Sequence, residues 1–218
     1  MNTQAGARDL RALLVVWALG LVWSGYAPYD RATWVMEVAP AFIAAIFLWT
    51  TRGRFTPTTL MMGLILLHGL ILMVGGKYTY ARVPLGFWMQ DWFGFTRNDY
   101  DRIGHFAQGF VPAIVARELL IRVFRLESKR LVAFLAVSIC LAISAAYELI
   151  EWAAALAMGQ GADEFLGTQG DPWDTQEDMF TCLLGALVAL PLLSHWHDRQ
   201  IAAIAAIEKA TATSAASS

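Results

Sequence analysis

The chain has 218 residues, of which 57% are hydrophobic and only 16% are charged. A soluble domain usually has about 45–50% apolar and about 25% charged residues, so this composition excludes disordered, fibrous and disulfide-stapled proteins. Sixteen basic and eighteen acidic residues give a net charge of -2, which excludes the basic surplus of a nucleic-acid binder.

Six apolar stretches follow one another along the chain, near the length of about 20 residues with which a helix crosses a hydrocarbon core of about 30 Å. They cover residues 12–26, 34–50, 58–74, 103–121, 131–157 and 178–194. The pattern predicts an all-α membrane protein with a bundle of about six transmembrane helices. Residues 1–200 are expected to form this single domain, and residues 201–218 a short cytoplasmic tail.

Basic residues between the stretches predict the orientation, because Lys and Arg are enriched in cytoplasmic connections. Eleven of them fall on one side of the predicted bundle and five on the other. The smaller group is Arg31, Lys77, Arg82, Arg97 and Arg102. We therefore expect both termini to lie in the cytoplasm.

Ionisable groups recur at helical spacing in the fourth and fifth stretches. Such groups cost several kcal/mol inside a bilayer unless they are paired or solvated. Each one therefore indicates a partner, a water-filled cavity or a functional site. Asp101 and His105 lie four residues apart, and Tyr147, Glu148 and Glu151 share one face of the fifth helix. The predicted orientation places both groups in the outer half of the membrane, where they would line an outward-facing pocket.

The sixth stretch adds further acids at the same depth. Asp174-x-x-Glu177 is typical of a helix start, and Asp174 is as compatible with an N-cap as with a functional role. Asp178 is expected to face the pocket one turn later. The preceding acidic loop includes Asp163 and Glu164, which read as solvated, and residues 167–178 are expected to close over the pocket.

A histidine with several carboxylates is a typical ligand set for a divalent cation. We expect His105, Glu148 and Asp178 to bind such an ion, which could be Zn²⁺, Mn²⁺ or Mg²⁺. Without an ion, at least one acid should hold a proton, because like charges at close range do not all stay ionised. The candidate catalytic residues are Glu148, Glu151, Asp101 and Asp174.

Residues near the same ends of the helices are candidates for binding substrate. Lys77 and Arg102 could pair with a phosphate group. The full substrate-binding set is Lys77, Tyr78, Tyr80, Arg102 and Asp171. His68 is either part of the pocket or an interhelical hydrogen-bonding group. His195 and His197 are interpreted as structural residues of a helix end in the headgroup layer.

Three segments that carry these residues resemble the YjdF-like family of bacterial inner-membrane proteins, a domain of unknown function. They are residues 100–106, 147–152 and 167–178. The resemblance implies a multi-pass protein of the bacterial inner (cytoplasmic) membrane. More distantly, the chain is similar to the VanZ-like family, whose Asp-x-x-x-His helix start is matched by Asp101 and His105. The Glu and Asp that recur in that family map to Glu148 and Asp178.

Three functions are compatible with these features. The leading hypothesis is a membrane enzyme whose pocket acts on a lipid or lipid-linked substrate of the cell envelope. A small transporter or proton-coupled carrier is the alternative, although it needs polar groups along the whole route across the bilayer. The third is a structural or assembly protein in which polar groups join helices. The lipid bilayer is the expected partner in each case, and the oligomeric state is left open.

Overall fold

The computed structural model describes residues 3–158 and 169–216, and within these ranges the chain is helical with no β-strand. The described helices are α1 (Thr3–Gly25), α2 (Arg31–Thr51), α3 (Thr59–Tyr78), α4 (Pro84–Phe93), α5 (Tyr100–Arg122), α6 (Lys129–Met158) and α7 (Asp174–Ala216). A single turn of 3₁₀ helix, Tyr80–Arg82, separates α3 from α4. The all-α prediction is confirmed. Asp163, Glu164 and Gly167 of the predicted loop lie outside the described residues.

Each predicted apolar stretch coincides with one helix. Four helices, α2, α3, α6 and α7, are long and apolar enough to cross a membrane, and α1 contributes a shorter apolar segment, Arg11–Gly25. The 23 residues of α5 span about 34 Å at the usual rise of about 1.5 Å per residue, but this helix carries many polar groups. The exact number of spans and the side on which the termini lie stay predictions.

Helix α5 lies at the centre of the bundle, where it packs against α3, α6 and α7. Its closest neighbour is α7, because glycines let the two backbones touch. A Cβ atom at Gly109 would collide with the main chain of Cys182, and one at Gly185 would collide with the main chain of Phe106. This crossing brings the first turns of α5 and α7 together.

The apolar core has two parts on either side of α5. One part packs α5 against α6 and α7, and it includes the fully buried and free Cys140 and Cys182. The other packs α1 against α2 and α3 around Trp17, Met61 and Met73. The core therefore fixes α5 in place from both sides.

Helix α7 continues well past the end of the predicted sixth stretch. Its 43 residues run without a break through residue 200 to Ala216. Beyond residue 200, α7 still contacts α5 through an ion pair of 3.2 Å between Glu208 Oε1 and Arg122 Nη2. The predicted division into a domain of residues 1–200 and a short tail is thus not marked by a helix end.

Candidate functional site

Three helices deliver charged side chains to His105. Its Nε2 atom lies 3.4 Å from Asp101 Oδ1, 3.7 Å from Asp178 Oδ1 and 3.8 Å from Glu148 Oε1. All four residues are at least nine-tenths buried. Asp101 and His105 stand one turn apart on α5, whereas Glu148 comes from α6 and Asp178 from α7. We call these four residues the His105 cluster, and it combines the three predicted metal ligands with one predicted catalytic acid.

The hydrogen bond at Nδ1, the second ring nitrogen of His105, determines the state of the Nε2 atom that faces the acids. Nδ1 lies 3.1 Å from Gln108 Oε1. An amide oxygen only accepts hydrogen bonds, so Nδ1 donates its hydrogen there and the Nε2 lone pair is directed at the carboxylates. A lone pair among carboxylate oxygens is repulsive unless a positive charge lies between them. The cluster therefore requires a proton or a metal ion at Nε2.

The spacing of the cluster suits a metal ion. Ligand atoms from Asp101, His105 and Asp178 all lie within 4.8 Å of one another. Ligands held at about 2.0–2.2 Å from a tetrahedral ion stand about 3.3–3.6 Å apart. Glu148 adds a fourth candidate, because its buried Oε1 atom has no hydrogen-bond partner among the described residues. Asp101, which the sequence placed among the catalytic residues, lies closer to His105 than Glu148 does.

A second set of buried groups extends the cluster toward α2. The Tyr147 hydroxyl donates to Glu37 Oε2 at 3.2 Å, and Tyr80 lies against the same carboxylate. Glu151 is close enough to Glu37 and Glu148 to interact with both electrostatically. Sequence reasoning missed Glu37. The missed signal was a lone carboxylate within the apolar part of α2.

Two arginines hold the acids at the start of α7. Arg97 Nη2 binds Asp174 Oδ1 at 2.6 Å, and Arg102 Nη2 binds the same oxygen at 3.1 Å. Arg102 Nη1 also pairs with Asp178. Burial disfavours the charged form of Arg97, but hydrogen bonds and ion pairs with Asp174 and Asp99 raise its pKa above the ordinary value.

These pairs change the roles expected for three residues. Helix α7 begins at Asp174, as the sequence indicated, but the Asp174 carboxylate binds arginines. Arg102 is paired with acids of this chain rather than directed only at a phosphate site. Asp171 Oδ1 accepts from the Trp173 backbone N–H at 2.9 Å, and its Oδ2 atom lies 3.6 Å from Arg97 Nη1.

Two of the predicted substrate ligands lie elsewhere. Lys77 Nζ donates to the carbonyl oxygens of Trp23 at 3.1 Å and Tyr26 at 2.8 Å, at the end of α1. The Tyr78 ring packs edge-on against Trp23, with ring centroids 6.3 Å apart. The C-terminal end of α3 thus turns both side chains toward α1, and the structure does not bring them to the His105 cluster.

His68 lies on the α3 side of the same region. Its Nε2 atom is buried and has no hydrogen-bond partner among the described residues. It lies close enough to His105 for the two imidazoles to interact electrostatically. The structure therefore brings His68 toward the cluster, although its Nε2 atom forms no hydrogen bond among the described residues.

A separate buried network occupies the opposite end of α5. The Glu118 carboxylate accepts from the Thr58 hydroxyl at 2.6 Å and the Thr58 backbone N–H at 3.0 Å. It also accepts from Arg122 Nη1 at 2.7 Å and lies 2.9 Å from His197 Nε2. Arg117 donates to His197 Nδ1 at 3.0 Å, which leaves Nε2 as the donor to Glu118.

This network, the Glu118 cluster, corrects the interpretation of His197. The side chain is completely buried between α5 and α7 and does not face the headgroup layer. Its partner Glu118 lies 79 positions away in the sequence, so local patterns gave no sign of the contact. His195, two residues earlier, is exposed.

Comparison with known proteins identifies the family. The profile of the family described as "Predicted membrane protein (DUF2238)" matches residues 10–199. The chain belongs to this family. It is 56% identical over 181 residues to the "Inner membrane protein YjdF" of Escherichia coli (strain K12), covering 83% of this chain and 87% of that relative. No solved structure matches the chain.

The DUF2238 match and the E. coli relative confirm the resemblance to YjdF and the expected inner-membrane location. The chain is therefore an integral membrane protein embedded in the lipid bilayer. The more distant similarity to the VanZ-like family stays a prediction. The match covers α5, α6 and the first part of α7, so all four residues of the His105 cluster lie within it.

Proposed function

We propose that this protein is a membrane-embedded, metal-dependent enzyme whose active centre is the His105 cluster. The observation that carries the proposal is the Nε2 atom of His105, which faces Asp101, Asp178 and Glu148 at 3.4–3.8 Å. Gln108 fixes the tautomer, as second partners of metal-binding histidines commonly do. The ion would be Zn²⁺, Mn²⁺ or Mg²⁺.

The ion would supply Lewis-acid chemistry, since a bound divalent cation polarises a carbonyl or phosphoryl oxygen and activates water. The chain's own residues divide the remaining tasks. Asp101, His105 and Asp178 hold the ion. Glu148, with a free carboxylate oxygen beside His105, completes the ligand set or exchanges a proton with the reacting group. Glu37 and Glu151, in the neighbouring set of acids, act on Glu148 and the cluster electrostatically.

The proposed substrate is a lipid or lipid-linked molecule of the cell envelope. The His105 cluster lies in the first turns of α5 and α7, near one end of the bundle rather than at mid-length. In this proposal the headgroup layer lies at that level, so water and a polar substrate are both close to the buried cluster. On α5, the apolar Val111 and Ile114 separate this cluster from Glu118, which disfavours a polar route across the bilayer as a carrier requires.

Metal analysis of purified protein tests the metal-dependent version. We expect about one divalent ion per chain in the wild type and a large loss in His105→Ala and Glu148→Gln. The matched control is His195→Ala, which removes an exposed histidine at the other end of the bundle. Equal and negligible metal in all four proteins would eliminate the metal and leave Glu148 as an acid/base group with a proton at His105.

Lipid analysis of cells tests the substrate class. A strain without the protein should accumulate one envelope lipid or lipid-linked intermediate, and the wild-type gene should restore the normal pattern. Glu148→Gln should be produced at normal levels but fail to restore it. Full restoration by Glu148→Gln, His105→Ala and Asp178→Asn alike would refute an enzymatic role for the cluster and favour a structural one.

A further inference from the structure

The short helix α4 exposes an unusual number of large apolar side chains. Trp92 and Phe93 are each 66% exposed and Trp88 is 54% exposed. With ten residues, α4 is about 15 Å long, half of what a hydrocarbon core of about 30 Å requires. The exposed apolar side chains of this region are Leu85, Phe87, Trp88, Trp92, Phe93 and Phe95.

The chain places α4 at one face of the membrane. It lies between the end of α3, which is long and apolar enough to span, and the start of α5. Pro84 occupies the first turn, and Gly94 ends the helix in a left-handed conformation with φ of 70°. These two residues limit α4 to the connection between α3 and α5, on the side where the His105 cluster lies.

Asn98 fastens this connection to the candidate site. Its side-chain amide donates to the Val83 carbonyl at 3.0 Å and its Oδ1 atom accepts from the Tyr100 backbone N–H at 3.2 Å. Its main chain pairs with the side chain of Gln169 at 3.1 and 2.9 Å. Gly86 leaves no room for a Cβ atom against Asn98, so α4 packs tightly on this residue. Helix α4 is therefore held to the start of α5.

We propose that α4 is an in-plane interfacial helix, with phospholipid of the leaflet next to the His105 cluster as its partner. The spans expose side chains of the same kind, such as Leu149 and Trp152 on α6, and in a membrane protein such surfaces face lipid. Tryptophan prefers the headgroup boundary, and short helices with Trp, Phe and Leu on one side bind there. The polar Gln90 and Asp91 lie among these side chains, which suits an interface rather than an acyl core.

This placement has a consequence for the site. Because Asn98 ties α4 to the first turn of α5, an α4 anchored in the interface sets the depth of Asp101 and His105. Lipid that contacts Trp88 and Trp92 lies beside the start of α5. The inference concerns only where α4 lies, so it is independent of any metal or activity at His105.

Depth-dependent fluorescence quenching tests the proposal in full-length protein reconstituted into phosphatidylcholine vesicles. A fluorophore is attached at Trp88→Cys or Trp92→Cys, while the buried Cys140 and Cys182 stay unlabelled, as labelling of the wild type verifies. Glu127→Cys, in the exposed connection before α6, reports water. Leu187→Cys, an exposed position well inside the apolar part of α7, reports the acyl region.

Nitroxide attached near the lipid headgroup should quench positions 88 and 92 about threefold more strongly than position 127, as expected for an interfacial helix. Nitroxide near the end of the acyl chain should quench Leu187→Cys more than position 88 or 92. Quenching of 88 and 92 by aqueous iodide to the level of position 127 would overturn the proposal and assign the surface to a soluble or protein partner. Deep quenching equal to that of position 187 would overturn it as well.

The conservative variants Trp88→Phe and Trp92→Phe provide an independent readout should a cysteine variant fail to fold. Brominated lipid quenches tryptophan only on contact, and each substitution should remove part of the quenched intrinsic fluorescence. Unchanged quenching in both variants would place these rings away from lipid and contradict the proposal.

Discussion

The two ends of α5 carry histidine–carboxylate clusters of opposite character. In the Glu118 cluster, both carboxylate oxygens are hydrogen-bonded, and both ring nitrogens of His197 have partners. In the His105 cluster, three carboxylates face one nitrogen, and the Glu148 Oε1 atom has no hydrogen-bond partner among the described residues. A fully paired buried network holds helices together, whereas an incompletely paired one requires a further charged species. The comparison separates a structural network from a candidate site.

The largest expected effect lies in the Glu118 cluster. Glu118→Ala leaves Arg122, His197 and the Thr58 backbone N–H without their shared acceptor. Breaking a buried ion pair from one side typically lowers the free energy of unfolding by about 3–5 kcal/mol. Thermal or denaturant unfolding in detergent measures the loss.

Glu208→Ala is the matched control, because it removes the exposed partner of the same Arg122. A surface pair contributes about 0–1 kcal/mol, so little change is expected. Equal losses in Glu118→Ala and Glu208→Ala would show that burial and full pairing give the Glu118 cluster no special role.

The second effect concerns the helix crossing that both clusters share. Gly185→Ala forces a methyl group into the main chain of Phe106, so α5 and α7 must move apart. Overpacking of this kind lowers the free energy of unfolding by about 1–3 kcal/mol, and the displaced α7 should also weaken metal binding through Asp178. Unfolding and metal titration check the two consequences together.

Gly63→Ala serves as the comparison, because a Cβ atom at Gly63 meets nothing within 4 Å. In a helix this change is neutral or stabilising by about 0.5–1 kcal/mol. A loss of stability at Gly63 as large as at Gly185 would contradict the backbone contact as the cause, because Ala is the better helix former and a methyl group at Gly63 meets no neighbour.

Sequence reasoning located the spans and most of the His105 cluster for one physical reason. Charged groups are so costly in lipid that their helical spacing on α5 and α6 has few explanations other than a shared pocket. Asp101, His105 and Glu148 were found in this way. Glu37 obeys the same rule but stands alone on α2, without a periodic partner to draw attention to it.

Other features depend on contacts that local patterns do not contain. The approach of Gly109 to the main chain of α7 requires knowledge of both helices. Lys77 follows the third span closely, yet the direction of the last turn of α3 sends it to Trp23 and away from His105. Helix α4 is too short for a span and lies outside all six predicted stretches. Proximity in sequence therefore did not predict the direction in which these side chains point.

A smaller effect is expected outside both clusters, at the start of α2. Asp30 accepts from the Thr33 backbone N–H at 2.7 Å and from its hydroxyl at 2.9 Å. These hydrogen bonds lower the pKa of Asp30 from its ordinary value of 3.8. Asp30→Ala should lower the free energy of unfolding by about 0.5–2 kcal/mol at neutral pH.

The lowered pKa of Asp30 also predicts how the stability difference between wild type and Asp30→Ala changes with pH. A carboxylate whose pKa is lower in the folded state stabilises fully above its unfolded pKa, and that contribution is lost as the pH falls through the folded pKa. The stability difference between wild type and Asp30→Ala should therefore shrink below about pH 4. The stability difference between Asp30→Asn, which keeps a cap without a charge, and Asp30→Ala should show no such change, because neither variant titrates at this position. A constant difference for Asp30→Ala down to low pH would contradict the assignment of the cap.

The smallest effect on stability is expected for Glu148→Gln in the His105 cluster. It contrasts most sharply with the large loss expected for Glu118→Ala. In chelator, Glu148→Gln removes one of three mutually repelling carboxylates and breaks no hydrogen bond at Oε1. The free energy of unfolding should stay the same or rise slightly. With a divalent ion at about one hundred times its dissociation constant, the wild type should gain about 2.7 kcal/mol, and the variant much less.

Unfolding of both proteins with chelator and with Zn²⁺ or Mn²⁺ measures this difference. Because the ion binds the folded state alone, stabilisation that depends on Glu148 reports binding at the cluster even before any substrate is known. A loss in chelator comparable to that of Glu118→Ala would place Glu148 in a structural network instead. The two ends of α5 would then share one character, and the unpaired oxygen of Glu148 would no longer distinguish a site from a helix contact.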